Sequence, residues 1–339
     1  MPEIYLPQKI VFEKNALTRF SSGNAEKILI VCDSEILLNR GTVELIKNRC
    51  LQRSSDVQTV FDINPEALYS KASEAFFSNE ADLIIAVGTA GAIDCGMLLS
   101  HESGAEFTAI PCCCASSMTD FENNDYYSYR HSPSTLILDP KLIEYIPSSA
   151  VAYDALAALA YAIDTLVITE NIITKSLAIH AATGIFKSII PACRGDIPSL
   201  EKLMYSMYFA VASHRNSKEI EKSYLSRVSR FFADFGYPRA SVCALILPNI
   251  IEYEENTIRN GLFEIAQAVG ITRDDDDPSF ATIRLIDEIR KIQAQLGVPR
   301  AVSGFNLTEA AYHSRRIHSD IPDDILDLCY YGSFRFMKL

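Results

Sequence analysis

The chain has 339 residues, of which 48% are hydrophobic and 22% charged, and its formal net charge at pH 7 is −12. This composition is typical of a globular protein with material for a large core, and the length predicts two domains. The acidic balance argues against nucleic acid and anionic membranes as partners.

The cysteines and the N-terminal segment bear on the cellular compartment. Nine cysteines include an adjacent triplet, Cys112-Cys113-Cys114, and no CxxC pair, which indicates reduced thiols in a cytoplasmic protein. Residues 1–14 lack a basic region followed by an apolar stretch, so no secretory signal is expected. No apolar run approaches the roughly 20 residues of a membrane span, so no membrane partner is expected either.

The first half of the chain alternates predicted strands with predicted helices. Apolar runs predict strands at 9–12, 27–31, 57–61, 83–87, 106–110 and 134–138. Helical patterns fall between them at 34–50, 67–79 and 92–99. This alternation predicts a mostly parallel sheet, whose ligands lie beyond the carboxyl ends of the strands.

Residues 81–94 carry a strand through a turn with Gly88 and Gly91 into a helix. Backbone N–H groups and the positive helix end converge at such a turn, which makes a phosphate cradle. Tight βα packing is the simpler interpretation of the same glycines. Asp33, at the end of the strand 27–31, is placed either to accept a hydrogen bond from a ribose 2′-hydroxyl or to cap the next helix.

Strand signals end near residues 146–149, and the second half is predicted to be all helical. Helices are expected at 150–169, 174–190, 199–215, 217–235, 240–254, 257–269, 278–296, 307–317 and 322–331. The predicted domains are therefore an α/β domain over 1–148 and a helical domain over 149–339.

The order and spacing of short motifs resemble the iron-containing (group III) alcohol dehydrogenases, whose fold is shared by glycerol dehydrogenase and dehydroquinate synthase. The matching motifs include KIVF at 9–12, LIVCD at 29–33, IAVG at 85–88, AID at 92–94, ILDP at 137–140, DALA at 154–157 and LPN at 247–249. The resemblance covers about residues 5–300. It implies a dinucleotide-binding α/β domain, a helical domain, and an active site in the cleft between them, with NAD(P) and a divalent metal.

The resemblance assigns eight residues to the dinucleotide. They are Asp33, Gly88, Thr89, Ala90, Gly91, Asp94, Cys112 and Cys113. Asp33 would read the ribose and favour NAD over NADP. The family's turn is three glycines and a serine, so here Thr89 and Ala90 place Cβ atoms where backbone normally meets phosphate. Cys112 and Cys113 replace two threonines and are interpreted as small buried fillers, with a reactive thiol as the alternative.

The metal site departs further from the family, whose ligands are one Asp and three His. Asp154 matches the Asp, but the His positions fall on Ala158, in the His-free segment 223–229, and on Arg239. A three-residue insertion in the helix would move the first of them to Tyr161. None of the six histidines stands at a ligand position; they are His101, His131, His180, His214, His313 and His318. A lone carboxylate does not hold iron or zinc, so no metal is expected to bind.

Asp154, Tyr161 and Arg239 are the candidate catalytic residues. The guanidinium of Arg239, with Arg227 as a second candidate, could hold an anion or a developing oxyanion in place of the Lewis acid. Tyr161 could donate a proton. The alternatives are that Arg239 is a surface cation and Tyr161 a core aromatic residue.

The expected function is therefore that of an NAD(H)-dependent oxidoreductase acting on a small alcohol or aldehyde, without the usual metal, in a homo-oligomer such as a dimer. An anionic substrate would suit Arg239. A second hypothesis is a catalytically inactive family member that acts as a binding or regulatory protein. A third is a lyase similar to dehydroquinate synthase.

Overall fold

A computed structural model describes residues 4–54, 56–113, 132–217, 220–273 and 275–332. Cys114 and His131 lie outside these residues. The chain divides into two compact units, one reaching to Pro147 and the other beginning at Ser148.

The first unit contains one six-stranded sheet in which every neighbouring pair is parallel. Its strands are β1 Lys9–Phe12, β2 Lys27–Cys32, β3 Asp56–Phe61, β4 Leu83–Gly88, β5 Glu106–Pro111 and β6 Thr135–Leu138. They lie in the order β1-β6-β5-β4-β2-β3. All six predicted strands are confirmed to within one residue at either end. Helices cross over between them because parallel strands need long connections.

Among the described residues of this unit, five α-helices accompany the sheet. They are α1 Glu35–Asn39, α2 Thr42–Cys50, α3 Pro65–Asn79, α4 Ala90–Ser103 and α5 Pro140–Ile143. The single helix expected at 34–50 is wrong, because Gly41 adopts a left-handed conformation with φ of 73° and divides it. The helix α4 begins two residues earlier than expected, so Gly91 lies inside its first turn.

The central strands are apolar on both faces, as parallel strands covered by helices should be. Every residue of β4 is buried, and so is every residue of β2 after Lys27. Ile28, Ile30, Ile85 and Val87 belong to one hydrophobic cluster on one side of the sheet. Burial of this kind fixes the register of the strands, and with it the positions of the residues that follow their carboxyl ends.

The second unit is helical throughout the residues that the structure describes. Its α-helices are α6 Ser148–Ile168, α7 Ile172–Cys193, α8 Ile197–Arg215, α9 Tyr224–Ala233, α10 Arg239–Ala268, α11 Pro278–Gln295, α12 Glu309–Arg316 and α13 Asp323–Tyr331. The all-helical prediction is confirmed. The two helices expected at 240–254 and 257–269 are wrong, since α10 runs unbroken through both ranges. Weak helix formers near residue 256 do not end a helix that packs along its neighbours.

The expectation that no apolar run reaches membrane-span length is also wrong. By length and hydropathy, α6 and α7 could each cross a bilayer. In α6, however, 83% of the most apolar 18-residue window is buried inside the protein. Its alanines allow close approach of neighbouring helices, so its apolar surface is satisfied by α7, α8 and α10.

The core of the helical unit contains buried polar side chains, and two of them, His214 and Asp164, form a pair. The Nε2 atom of His214 in α8 lies 3.0 Å from Oδ2 of Asp164 in α6, and the two residues are only 2% and 4% exposed. The ring of Tyr161 stacks on the imidazole, with 4.8 Å between ring centroids. A buried carboxylate is tolerated only with such a partner, so the pair ties α6 to α8.

Replacing His214 by Leu should lower the free energy of unfolding by about 3 kcal/mol, because Asp164 loses its buried hydrogen bond and Tyr161 its stacking partner. Urea unfolding followed by circular dichroism measures this loss. The exposed His318 provides a matched control, and His318→Leu should change stability by less than about 0.5 kcal/mol. Equal effects of the two substitutions would contradict the prediction.

Candidate functional site

The strand order identifies one crevice in the sheet. Strands β2 to β6 follow the doubly wound order in which the chain reverses direction between β2 and β4. Loops at such a switch point leave in opposite directions, and ligands bind beyond the carboxyl ends of the two strands. The residues at this point are Asp33, which follows β2, and Gly88 with Thr89 at the end of β4.

Asp33 lies against the beginning of α4. Its Oδ1 accepts a hydrogen bond of 2.7 Å from the backbone N–H of Thr89. Its Oδ2 accepts hydrogen bonds from the Thr89 hydroxyl at 2.6 Å and from the backbone N–H of Ala92 at 2.9 Å. The side chain therefore caps α4, whereas α1, the next helix along the chain, is capped by Ser34. Its assignment to the ribose stays a prediction.

Gly88 and Gly91 are required by this close approach. A Cβ atom on Gly88 would lie 1.9 Å from Oδ1 of Asp33, and one on Gly91 would lie 3.0 Å from Oδ2. The backbone of Gly88 also has a φ of 150°, which other residues rarely adopt. The glycines thus admit the carboxylate of Asp33 to the N-terminus of α4, a position that favours an anionic group.

The other residues that the resemblance assigns to the dinucleotide differ in their burial and in their contacts with this turn. Ala90 and Asp94 are buried on α4, at 8% and 5% exposure. The backbone N–H of Cys112 donates to the carbonyl oxygen of Gly88 at 2.8 Å, which holds the end of β5 beside the turn. The Cys112 side chain packs in the hydrophobic cluster of the sheet, while Cys113 is half-buried against that cluster. This packing supports the interpretation of Cys112 as a filler.

In the helical unit, Arg239 is the first residue of α10 and is only 8% exposed, so it is not a surface cation. Its Nε donates a 3.1 Å hydrogen bond to Oγ of Ser229, and Nη2 donates a 2.8 Å bond to Oγ of Ser226. A guanidinium presents five donors in a fixed fork, so two bonds define its plane. Arg239 is therefore a buried and oriented cation.

Ser226 and Ser229 were not predicted as site residues. Both lie on α9, three residues apart and therefore on one face, and both are almost fully buried. They fall within segment 223–229, where the resemblance expects a histidine. The S-x-x-S spacing was the signal that could have found them. Arg227 of the same helix instead pairs with Oδ2 of Asp320 at 3.3 Å, away from Arg239's serines.

The family's metal does not fit the residues at the matching positions. Asp154 is buried on α6, and Ala158, one turn later, offers no ligand atom. The helix is continuous, so Tyr161 lies about 10.5 Å further along its axis than Asp154 and does not share an ion with it. Across the described part of the chain, no group of three or more His, Cys, Asp or Glu side chains is placed to hold a metal ion.

Tyr161 is 1% exposed and stacks on His214, so its packing is that of a core aromatic residue.

A carboxylate on α10, that of Glu254, lies within electrostatic range of Asp164 in the buried pair with His214. Burial, and to a smaller extent the charge of Asp164, together raise the pKa of Glu254 to about 7. Titration near neutral pH marks this group as one that can hold or release a proton.

The family profile described as iron-containing alcohol dehydrogenase matches residues 7–140. The NADPH-dependent butanol dehydrogenase of Clostridium saccharobutylicum is 20% identical and aligns over 98% of this chain and 99% of its own. The maleylacetate reductase 2 of Cupriavidus pinatubonensis is 25% identical over 61% of this chain and 60% of its own. The first 140 residues are therefore similar to the iron-containing alcohol dehydrogenases, and the similarity to the butanol dehydrogenase extends over nearly the whole chain.

Solved structures of dehydrogenases and reductases share the fold. An alcohol dehydrogenase from Oenococcus oeni superposes with a TM-score of 0.84 at 17% identity, covering 97% of this chain and 100% of that one. The sulfoacetaldehyde reductase from Bifidobacterium kashiwanohense, solved in complex with NAD+, gives 0.78 at 20% identity and covers 98% of each chain. The predicted fold class, a dinucleotide-binding domain followed by a helical domain, is confirmed.

The raised pKa of Glu254 predicts how stability changes with pH. Because the folded protein favours the neutral carboxyl, its contribution is complete below pH 4.5 and is lost as the pH rises to about 7. Relative to Glu254→Gln, the free energy of unfolding of the wild type should fall by on the order of 1–2 kcal/mol between pH 4.5 and 7. Urea unfolding at several pH values tests this, with Glu264→Gln on the exposed face of α10 as a charge control. Parallel curves for the wild type and Glu254→Gln would refute it.

Proposed function

We propose that this protein is an NAD(H)-dependent oxidoreductase that interconverts a small alcohol and its aldehyde without the family's metal. The observation that carries the proposal is the switch point of the sheet, where Gly88 and Gly91 bring the carboxylate of Asp33 to the N-terminus of α4. The family supports the reaction class, since its relatives include a butanol dehydrogenase, a 1,3-propanediol dehydrogenase and a maleylacetate reductase.

The residues of the α/β unit would bind the dinucleotide through its polar backbone. Amides in the first turn of α4 face the carboxyl end of β4, where the helix dipole favours a pyrophosphate. Asp33 would accept a hydroxyl of the adenosine ribose, and the turn leaves little room for further side chains. When bound, the nicotinamide supplies a hydride for a carbonyl carbon.

Arg239 would take over the electrostatic part of the metal's role. Hydride addition to a carbonyl leaves negative charge on oxygen, and donors fixed before the reaction stabilise that charge most effectively. The two serine hydroxyls orient the guanidinium in advance, so reorganisation costs are small. A guanidinium cannot ligate metal, so this arrangement is an alternative to the metal site and not a part of one.

The guanidinium also favours substrates that carry a second anionic group. Two relatives act on such molecules by name, the maleylacetate reductase and the sulfoacetaldehyde reductase. Carboxylates and sulfonates accept paired hydrogen bonds from arginine. Asp154 and Tyr161 are the other predicted catalytic residues, and the burial of Tyr161 against His214 favours a core aromatic residue over a proton donor at that position.

Dinucleotide binding is the first test, and it can be followed by the fluorescence of NADH, since the chain contains no Trp. Gly88→Ala should abolish saturable binding, because its Cβ would overlap Asp33. Gly104 ends the same helix with a left-handed φ of 76° and open space around it, so Gly104→Ala supplies the matched control. Absence of NADH and NADPH binding by the wild type would favour the inactive, regulatory alternative.

Substitution of Arg239 tests the catalytic part of the proposal. Arg239→Met should lower kcat for carbonyl reduction by about 100-fold or more, the usual effect of removing an oxyanion donor. Reduction of an anionic aldehyde should suffer more in kcat/KM than that of a neutral one of equal length. Arg284→Met removes an exposed cation of α11 and should leave both rates unchanged. Retention of full activity by Arg239→Met would exclude this role.

A further inference from the structure

Thr89 is the residue in the turn that most changes the surroundings of Asp33. It is the N-cap residue of α4, yet its side chain makes no capping hydrogen bond to its own helix. Its hydroxyl instead donates to Oδ2 of Asp33 over 2.6 Å. That bond exists only because residue 89 has a hydroxyl, whereas the bonds from the N–H groups of Thr89 and Ala92 depend on the backbone alone.

The hydrogen bond from Thr89 uses an acceptor position on Asp33 that a nucleotide hydroxyl could otherwise occupy. An ionised carboxylate offers about four lone-pair positions. Protein donors use three of those on Asp33, two of them on Oδ2. The remaining capacity suits one hydroxyl, so the 2′- and 3′-hydroxyls of an adenosine ribose cannot both be accepted. The attraction of Asp33 for an unphosphorylated ribose is thereby weakened.

The same contacts reduce the repulsion that Asp33 exerts on a phosphate. A carboxylate at a helix N-terminus interacts favourably with the helix dipole, and each donor that faces it disperses part of its charge. A 2′-phosphate would meet a carboxylate whose charge is partly compensated by three donors. The two effects act in one direction, because both lower the preference for NADH over NADPH.

We propose that Thr89 makes this protein accept both NADH and NADPH, by occupying an acceptor position on Asp33 and compensating its charge. This inference rests on the proposed function and removes the preference for NAD over NADP that the motif alone predicts. Thr89 acts through Asp33 and is a positioning residue, not a catalytic one. The chemical class that the site selects is a nicotinamide dinucleotide with or without a 2′-phosphate.

The experiment is a fluorescence titration of the purified full chain with NADH and with NADPH, for the wild type, Thr89→Ala and Thr89→Ser. Alanine and serine differ only in the hydroxyl, so this pair isolates the hydrogen bond to Asp33. The wild type should bind the two dinucleotides with dissociation constants within about tenfold of each other. Thr89→Ala should bind NADH about tenfold more tightly and NADPH no more tightly, as gain of one charged hydrogen bond predicts. Thr89→Ser should retain the wild-type ratio.

The possible failures are distinct. A wild type that binds NADH more than 100-fold more tightly than NADPH overturns the inference and leaves the proposed function standing. So does an alanine variant whose two affinities change by the same factor, since that is the mark of a purely structural effect. Failure of the wild type to bind either dinucleotide overturns the proposed function, and the inference with it. Circular dichroism verifies that each variant is folded, and the serine variant alone still tests the ratio if the alanine variant is not.

Discussion

The hydrogen bonds between Asp33 and the first turn of α4 are the interaction on which the α/β unit's site depends. The burial of β2 and β4 fixes their register, and the register places the end of one strand beside the end of the other. Because a carboxylate then has to lie within van der Waals distance of the β4 backbone, residue 88 cannot carry a side chain. The glycine, the strand order and the acid therefore form one constraint, and none of them can change independently of the others.

The helical unit buries charged groups inside an apolar bundle, and each of these groups has polar partners. Arg239 has two serine hydroxyls, and Asp164 has the imidazole of His214. Each partner holds the charged group in one orientation. Removing a partner should therefore lower the free energy of unfolding by more than removing an ordinary surface contact would. One of the positions at which the resemblance expects a histidine ligand is therefore occupied by a buried cation, Arg239, and not by an apolar side chain.

Much of this architecture was predictable from the sequence, because strands buried on both faces and alanine-rich core helices have distinct patterns. The six strands were found for that reason, and so was the helical character of the second half. The division at Gly41 and the unbroken α10 were missed, because a single residue's backbone conformation and the packing of a long helix leave little trace in local periodicity. Asp33 was weighed as a ribose ligand or as the cap of the next helix. It caps α4 instead, 59 residues away from Ala92 along the chain, a contact that only the strand order could reveal.

Residues of the candidate site could be predicted where a family motif points to their position in the chain. Their hydrogen-bond partners could not be predicted, because these have no counterpart in the motif. Arg239 could be found because a fixed interval before Leu247-Pro248 selects it, but Ser226 and Ser229 are common residues on an amphipathic helix. Thr89 shows the same limit more sharply. From the sequence alone, a threonine in place of a glycine predicts a turn that binds phosphate less well, because it adds a Cβ atom. In the structure its hydroxyl donates a hydrogen bond to Asp33, a contact that the motif comparison does not reveal. A departure from a family motif should therefore be judged by what the new side chain contacts.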